Sequence, residues 1–428
     1  MFGRLLVIIL EGISVILIAT IFSPENKGLL SLLMLYVAYA HQIGELGIYQ
    51  SAVYFTSKYK NFKQENYLPN ILSLGHFVSF FLSLIFLTIL INLNLFGYLN
   101  IETKIIYLLC LILFFLSVSN ILYHLLIGQK RVLNFVIIKI FQSIIFLISN
   151  FVLWKTLKNF EIYHTLICYA FSLLISFTIL VIIHKYNKTS LKFEINFKVW
   201  FNILKFTIKG HPGRILWNLN NKLDFFIISY FMSNYYVGVY SIAVTFAETL
   251  SFFASSIGAI LLPYIASSNK KNSIVLSNLI IKHCTILTLI AGICLMIIGP
   301  IFITYVFDLE YHGAIEPLMY LVPGVICLSI SRVISNHLVG IGKPELQSYG
   351  VGFAFLIMII LNIVLIPKFG IVGAAIASSL AYTIETCIII YFYLRESSQK
   401  LNNIFYIEKY DFELYINILK KILNKKNN

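Results

Sequence analysis

The chain has 428 residues, of which 59% are hydrophobic and 12% are charged, and its mean hydropathy is +0.87. A soluble domain is about half apolar and about one quarter charged, so this composition excludes a soluble globular protein. The formal charge of +14 does not indicate nucleic-acid binding, because the basic residues are scattered between apolar segments rather than collected on one face. We expect membrane lipids to be the partner of this charge.

Twelve apolar stretches follow one another along the chain, each long enough for a membrane-spanning helix of about 20 residues. They lie near residues 5–22, 29–56, 69–92, 105–128, 132–154, 163–184, 211–232, 237–262, 284–307, 317–341, 346–366 and 370–394. The first is predicted to be a retained helix rather than a signal peptide, because Glu11 lies in its middle. We predict an all-α integral membrane protein with about 12 transmembrane helices in two pseudo-symmetric six-helix bundles.

Loop length and charge predict how the chain is divided. The longest connection, 185–210, is basic and separates an N-terminal six-helix lobe at 1–184 from a C-terminal lobe at 211–394. Most of the 32 Lys and Arg residues lie in even-numbered loops and at the termini. Loops that are rich in Lys and Arg stay in the cytoplasm. We therefore predict that both termini and the linker are cytoplasmic, and that the basic tail at 395–428 forms an amphipathic helix on the membrane surface.

Two short sequence matches predict an internal repeat. The pattern formed by Ser23, Gly28 and Ser31 recurs as Ser233, Gly238 and Ser241. A second match relates the helix ends 124–130 and 337–343. Because each half has six spans, we expect the two bundles to be related by an axis along the membrane normal. The alternative is that glycine and serine simply punctuate loops.

Span 7 carries the densest set of polar residues in a predicted helix. At about 100° per residue, Arg214, Asn218 and Lys222 fall on one face. An ionisable side chain in hydrocarbon costs about 2.5–3.5 kcal/mol, so it should face a cavity or a partner. We interpret these three, with Arg332 on span 10 and Lys139 on span 5, as candidate substrate-binding residues. The alternatives are pairing with an acid for Lys222 and snorkelling to the interface for Arg214.

Acidic residues within the spans are candidates for ion coupling, because a carboxylate can bind a cation or a proton. Glu248 on span 8, Glu45 on span 2 and Asp224 on span 7 are the predicted ion-coupling residues. For Asp224, as for Glu11 and Glu385, structural pairing with a basic residue is the alternative.

Catalytic and metal-binding patterns are missing from the sequence. There is no Walker loop and no paired Cys/His spacing, and the six cysteines lie singly in apolar runs. We therefore predict no cofactor and no metal, and a transport protein rather than an enzyme.

The segment 362–377, with Pro367, Gly370 and Gly373, resembles a recurrent signature of the polysaccharide-flippase branch of the multidrug/oligosaccharidyl-lipid/polysaccharide exporter superfamily. The segments 22–32, 221–243 and 340–344 are also similar to that branch. The resemblance implies two six-helix lobes around a central, laterally open cavity.

The resemblance also implies a flippase of the Wzx type. Such a protein moves polyprenyl-diphosphate-linked oligosaccharide repeat units, for O-antigen of lipopolysaccharide or for capsule, from the cytoplasmic to the outer leaflet of the bacterial inner membrane by alternating access. Arg214, Lys222 and Arg332 would hold the diphosphate, and a polysaccharide polymerase and assembly proteins would be partners. The alternatives are a multidrug/cation antiporter of the same superfamily and a polysaccharide polymerase or ligase, which the short outward loops disfavour.

Overall fold

The structure, a computed structural model, describes residues 2–58, 62–95, 101–129, 131–187, 192–208, 211–267 and 270–405. Within these ranges the chain is helical and contains no β-strand. Of the tail at 395–428 that is predicted to form a surface helix, only residues 395–405 are described, and the rest lies outside the described residues.

The helices, in chain order, are α1 (Phe2–Ile21), α2 (Pro24–Gly44), α3 (Ile48–Lys58), α4 (Phe62–Leu95), α5 (Thr103–Gly128), α6 (Val132–Thr156), α7 (Ile162–Tyr186), α8 (Phe197–Thr207), α9 (His211–Phe231), α10 (Asn234–Ser267), α11 (Lys270–Val306), α12 (Ile315–Gly340), α13 (Pro344–Ser397) and α14 (Leu401–Phe405). A short 3-10 helix, Leu309–Ala314, precedes α12. Each of the twelve predicted spans lies on these helices. Within the described part of the chain, seven helices are long and apolar enough to cross a bilayer by themselves: α4 to α7 and α11 to α13.

The chain packs as two compact units. Unit 1 comprises Met1–Ile242 with Thr304–His312, and unit 2 comprises Ala243–Ile303 with Gly313–Asn428. These units group helices by packing, whereas the predicted lobes are repeats of sequence. The predicted lobe boundaries therefore stay a prediction.

Helix α5 is the central helix of unit 1. It contributes Leu125 and Leu126 to an apolar cluster with α3, α4 and α8, and Leu109 and Leu113 to a second cluster with α2 and α7. Lipid tails are as apolar as leucine, so close side-chain packing rather than escape from water holds such helices together.

The second predicted span, 29–56, is interrupted in the structure. Helix α2 ends at Gly44, and α3 begins at Ile48. Between them Leu46 has φ 47° and Gly47 has φ 75°, a left-handed conformation that ends an α-helix. A Cβ on Gly47 would lie 3.0 Å from the carbonyl oxygen of Thr207 in α8, so glycine also permits close contact there.

The last two predicted spans form one helix with a sharp break at Gly370. This residue has φ 58° and ψ −140°, a combination that is essentially restricted to glycine. A Cβ on Gly373 would overlap the carbonyl oxygen of Leu365, eight positions earlier, so the chain folds back on itself here. The glycines of the signature segment 362–377 are therefore required by a tight helical hairpin.

Candidate functional site

The N-terminal ends of α2 and α10 cross with their backbones in contact, at the glycines that the sequence repeat relates. A Cβ on Gly28 would overlap the carbonyl oxygen of Asn234, and a Cβ on Gly238 would overlap the carbonyl oxygen of Pro24. The contact is reciprocal, because Pro24 and Gly28 correspond to Asn234 and Gly238 in the repeat. Small residues allow this approach between membrane helices. The first repeat match is thus also a local two-fold relation in space.

Lys27 lies beside this crossing, and its side chain is buried. The residue is 5% exposed, and its Nζ donates a hydrogen bond to the Oγ of Ser241. Ser241 Oγ in turn donates to the carbonyl oxygen of Gly238 at 2.6 Å. Because burying an ammonium group in a membrane protein is costly, such residues usually mark a substrate or ion pathway.

Lys222, one of the predicted substrate-binding residues, lies within electrostatic range of Lys27. Helix α9, which carries Lys222, packs on α2 through Phe226, whose ring centroid lies 5.3 Å from that of Tyr36. The Nζ of Lys222 lies 5.4 Å from the centroid of the Phe225 ring, a cation–π contact. Two lysine side chains within electrostatic range repel each other when both are protonated, so an anion placed near both would be stabilised.

Asp224, a predicted ion-coupling residue two positions further along α9, is 2% exposed. Its Oδ2 accepts a hydrogen bond of 2.6 Å from the Tyr240 hydroxyl, and its Oδ1 accepts one of 3.0 Å from its neighbouring amide. The bond from Tyr240 joins α9 to α10. Both the ion-coupling role of Asp224 and its alternative, structural pairing with a basic residue, stay predictions.

Two other predicted residues on α9 are not described at the level of side chains. The side chains of Arg214 and Asn218 fall outside the described residues, so their place relative to Lys222 stays a prediction.

Glu45, the second predicted ion-coupling residue, is 8% exposed at the C-terminal end of α2. Four residues earlier, His41 has its Nδ1 2.9 Å from the Oγ of Ser117 and its Nε2 2.9 Å from the Nδ2 of Asn120. An amide nitrogen only donates, so Nε2 of His41 accepts and Nδ1 carries the ring hydrogen. The imidazole is thereby fixed as one neutral tautomer near Glu45.

Lys139 lines a cavity of about 270 Å³ within unit 1, between α1, α6 and α7. Its Nζ donates to the Oε1 of Gln142 at 3.2 Å and lies 4.5 Å from the centroid of the Tyr123 ring. The same cavity contains Glu11, which is within electrostatic range of Lys139. A second cavity of about 240 Å³, lined by Lys27, shares wall residues with the first.

Arg332 lies in unit 2, among acidic residues. Its Nη1 donates to the Oγ of Ser251 at 3.2 Å, and both Glu248 and Glu385 lie within electrostatic range. Glu385 is 2% exposed and accepts a hydrogen bond of 3.0 Å from the Ser331 hydroxyl. Arg332 and the predicted ion-coupling Glu248 therefore belong to one charged cluster.

Sequence reasoning missed Lys27 as a site residue, since it treated this lysine as part of the loop between spans 1 and 2. The structure begins α2 at Pro24, so Lys27 lies inside the helix. Proline in the first turn is a typical helix start, and this signal would have placed Lys27 in the span.

The fold and these buried charges define a multi-pass integral membrane protein with a transporter fold. The chain is similar to the lipid II flippase MurJ in an inward closed conformation, with a TM-score of 0.74 and 19% sequence identity over 99% of this chain and 96% of that one. It is also similar to a multidrug resistance MATE family transporter of the MOP superfamily in an inward-facing conformation, with a TM-score of 0.72 and 12% identity over 91% of this chain and 94% of that one. The predicted fold class is thereby confirmed.

Residues 1–269 match the family described as "Polysaccharide biosynthesis protein", and the chain belongs to this family. A probable low-salt glycan biosynthesis flippase of Haloferax volcanii is 26% identical over 196 residues, which cover 45% of this chain and 41% of the relative. The chain thus matches less than half the length of this curated relative. The resemblance predicted from segment 362–377 and its companions is confirmed.

Proposed function

We propose that this protein is a flippase that moves a lipid-linked oligosaccharide across the membrane by alternating access. The observation that carries the proposal is the pair of Lys27 and Lys222, two cations within electrostatic range on packed helices α2 and α9. Membership of a polysaccharide biosynthesis family, and a relative named as a glycan biosynthesis flippase, support it.

A diphosphate-linked glycan suits such a pair of cations. The diphosphate would bind to the two lysines while the polyprenyl tail stays in the bilayer. With a negative-inside potential, each negative charge that moves outward gains about 2.3 kcal/mol per 100 mV. The potential alone could therefore drive the transport, and Glu248, Glu45 or Asp224 would serve if an ion is coupled to it.

Alternating access requires one end of the protein to close while the other is open. In unit 1, three contacts lie at the end that the predicted topology places outside. These are the Gly28–Gly238 crossing, the hydrogen bond of 2.8 Å from the Tyr311 hydroxyl to the Phe22 carbonyl, and one of 2.9 Å from Tyr235 to a backbone carbonyl of the 3-10 helix. We infer that these contacts close the outer end and separate when substrate is released.

The remaining predicted substrate residues keep secondary roles in the proposal. Arg214 and Asn218 share the helix of Lys222 and would extend the anion site along α9. Arg332 and Lys139 each lie near acidic side chains, which offset their charge. We place the diphosphate on Lys27 and Lys222, and Arg332 and Lys139 stay candidate substrate-binding residues.

We propose a lipid-linked glycan as the substrate class. The curated relative is named for glycan biosynthesis and comes from Haloferax volcanii. An O-antigen or capsule unit, a bacterial inner membrane with both termini cytoplasmic, and a polymerase with assembly proteins as partners remain the narrower predictions.

The test measures how fast a fluorescent polyprenyl-diphosphate oligosaccharide crosses the bilayer of sealed proteoliposomes. A membrane-impermeant reductant quenches the probe in the outer leaflet and thereby reports the transfer. Lys27→Gln and Lys222→Gln are each expected to slow flipping roughly ten-fold or more, the value of a lost charge-assisted contact. Lys155→Gln, at an exposed lysine on α6, is the matched control and should flip at the unmodified rate. Lys27→Arg should keep partial activity.

Unchanged flipping by both Gln variants would refute the lysine pair as the anion site. Absence of flipping by the unmodified protein, together with efflux of cationic drugs from the same vesicles, would favour the antiporter alternative instead.

A further inference from the structure

Helix α8, in the connection between α7 and α9, is fixed to unit 1 by one of its faces. Trp200, Ile203 and Thr207 on that face are 8%, 0% and 1% exposed. The indole nitrogen of Trp200 donates to the Oγ of Ser73 at 3.2 Å, and the amide of Asn196 donates to a side-chain oxygen of α4 at 2.8 Å. The helix is therefore a packed element rather than a loose linker.

The docking position sets the depth of α8 in the membrane. In the sequence, the apolar stretch of α4 follows the polar residues 63–66 and begins at about Leu68, and Asn70 and Ser73, near its start, hold α8. At 1.5 Å per residue, these two residues lie roughly 3–8 Å from the start of the crossing. Helix α8 therefore lies alongside the first turns of a membrane-spanning helix, at the level of the bilayer interface.

The second face of α8 is aromatic and exposed. Phe197, Phe201 and Ile208 are 74%, 67% and 53% exposed. At about 100° per residue, these three side chains fall within a narrow sector, next to the docked face. Large apolar side chains in one exposed patch usually mark a contact with lipid or protein.

The third face of α8 is basic and adjoins the aromatic face. Lys198, Asn202 and Lys205 are exposed, and they occupy the sector beyond Phe201 on the same helical wheel. An apolar face beside a lysine-bearing face is typical of helices that lie in the membrane interface.

We propose that α8 binds acidic lipid headgroups of the leaflet that it faces. Phe197 and Phe201 would insert into the acyl boundary, while Lys198 and Lys205 would contact lipid phosphates. The interfacial depth, the exposed aromatic face and the neighbouring basic face together identify a membrane rather than a protein as the partner. This interaction holds the connection between α7 and α9 against the bilayer, and it does not depend on which substrate is transported.

The headgroup contact is tested by native mass spectrometry of the full chain titrated with phosphatidylglycerol and, separately, with phosphatidylcholine. The double variant Lys198→Ser, Lys205→Ser should bind phosphatidylglycerol at least roughly five-fold more weakly, because each lysine near an acidic surface contributes about that factor. The control, Lys155→Ser with Lys158→Ser, removes two exposed lysines elsewhere and should bind normally. Equal loss in both double variants, or no loss, would overturn the proposal.

The depth of α8 is tested by spin labels at Phe201→Cys and Asn202→Cys in the full chain, with the six native cysteines replaced and monodispersity checked. In phosphatidylglycerol-containing nanodiscs, the label at 201 should be accessible to oxygen and shielded from a water-soluble nickel complex. The label at 202 should be accessible to nickel. Nickel accessibility of the 201 label equal to that of the 202 label would refute insertion.

Discussion

Replacing Gly28 by alanine tests the backbone crossing of α2 and α10 directly. The added Cβ would overlap the carbonyl oxygen of Asn234 and would lie 2.8 Å from the amide nitrogen of Gly238, against ordinary contacts of 3.4–4 Å. All of these obstacles are backbone atoms, so no change of side-chain rotamer relieves them. The two helices must separate.

The expected cost can be isolated with a matched glycine. Gly12, in the middle of α1, has no atom within 4 Å of an added Cβ. Both substitutions bring the same gain in helix propensity, up to about 1 kcal/mol, and that gain cancels in the comparison. The difference that remains is the overpacking strain at Gly28, about 1–3 kcal/mol.

The assay is the apparent melting temperature of each purified variant in one detergent, followed by tryptophan fluorescence. Gly28→Ala should melt a few degrees below Gly12→Ala. Its flipping rate should also change, because the outer closure would be weakened. Equal melting temperatures for the two variants would refute the crossing.

Two further substitutions test buried polar and backbone features. Tyr240→Phe leaves the buried Asp224 carboxylate one hydrogen-bond donor short, so we expect a loss of stability of about 1.5–3 kcal/mol. The control, Tyr235→Phe, removes only an exposed hydrogen bond to a carbonyl. Similar melting temperatures for the two variants would contradict this prediction. Gly370→Ala imposes a glycine-only conformation on alanine, at a cost of about 1–3 kcal/mol, and should reduce the yield of monodisperse protein. Gly352→Ala, where an added Cβ meets no atom within 4 Å, should not.

Much of the fold follows from hydrophobic run length, because a helix must satisfy its own backbone hydrogen bonds in lipid. This constraint places all twelve predicted spans on helices. It does not locate breaks inside apolar runs, since Leu46 carries no sign that it adopts φ 47°. Gly47 was the residue that could have signalled this break in the helix. Hydropathy alone treats it as an ordinary small residue.

The site was less predictable than the fold. Hydropathy and helical periodicity identified Lys222 as an intramembrane cation, but they could not pair it with Lys27, about two hundred positions away in sequence. Likewise, the charge count of span 10 does not reveal that Glu248 and Glu385 lie within electrostatic range of Arg332. Such pairings depend on which helices pack together, and this information is spread over many apolar contacts.

The internal repeat was partly predictable from the sequence. The match between Gly28 and Gly238 predicted corresponding helix ends, and the structure brings those ends into reciprocal contact. At the second match, the helix-end hydrogen bonds from Gln129 to Leu125 and from Ile341 to His337 correspond to each other. That register differs by one residue from the sequence match, so the repeated turn is preserved, whereas His124 and His337, which begin the two matched segments, are not equivalent.

In the proposed mechanism, Lys27 and Lys222 act together on an anionic, lipid-linked substrate. The most direct measurement is the flipping rate of the Lys27→Gln, Lys222→Gln double variant in sealed proteoliposomes, with its melting temperature recorded in parallel. We expect a folded protein that flips the diphosphate-linked probe no faster than protein-free vesicles do. A folded double variant that flips this probe at the unmodified rate would contradict it.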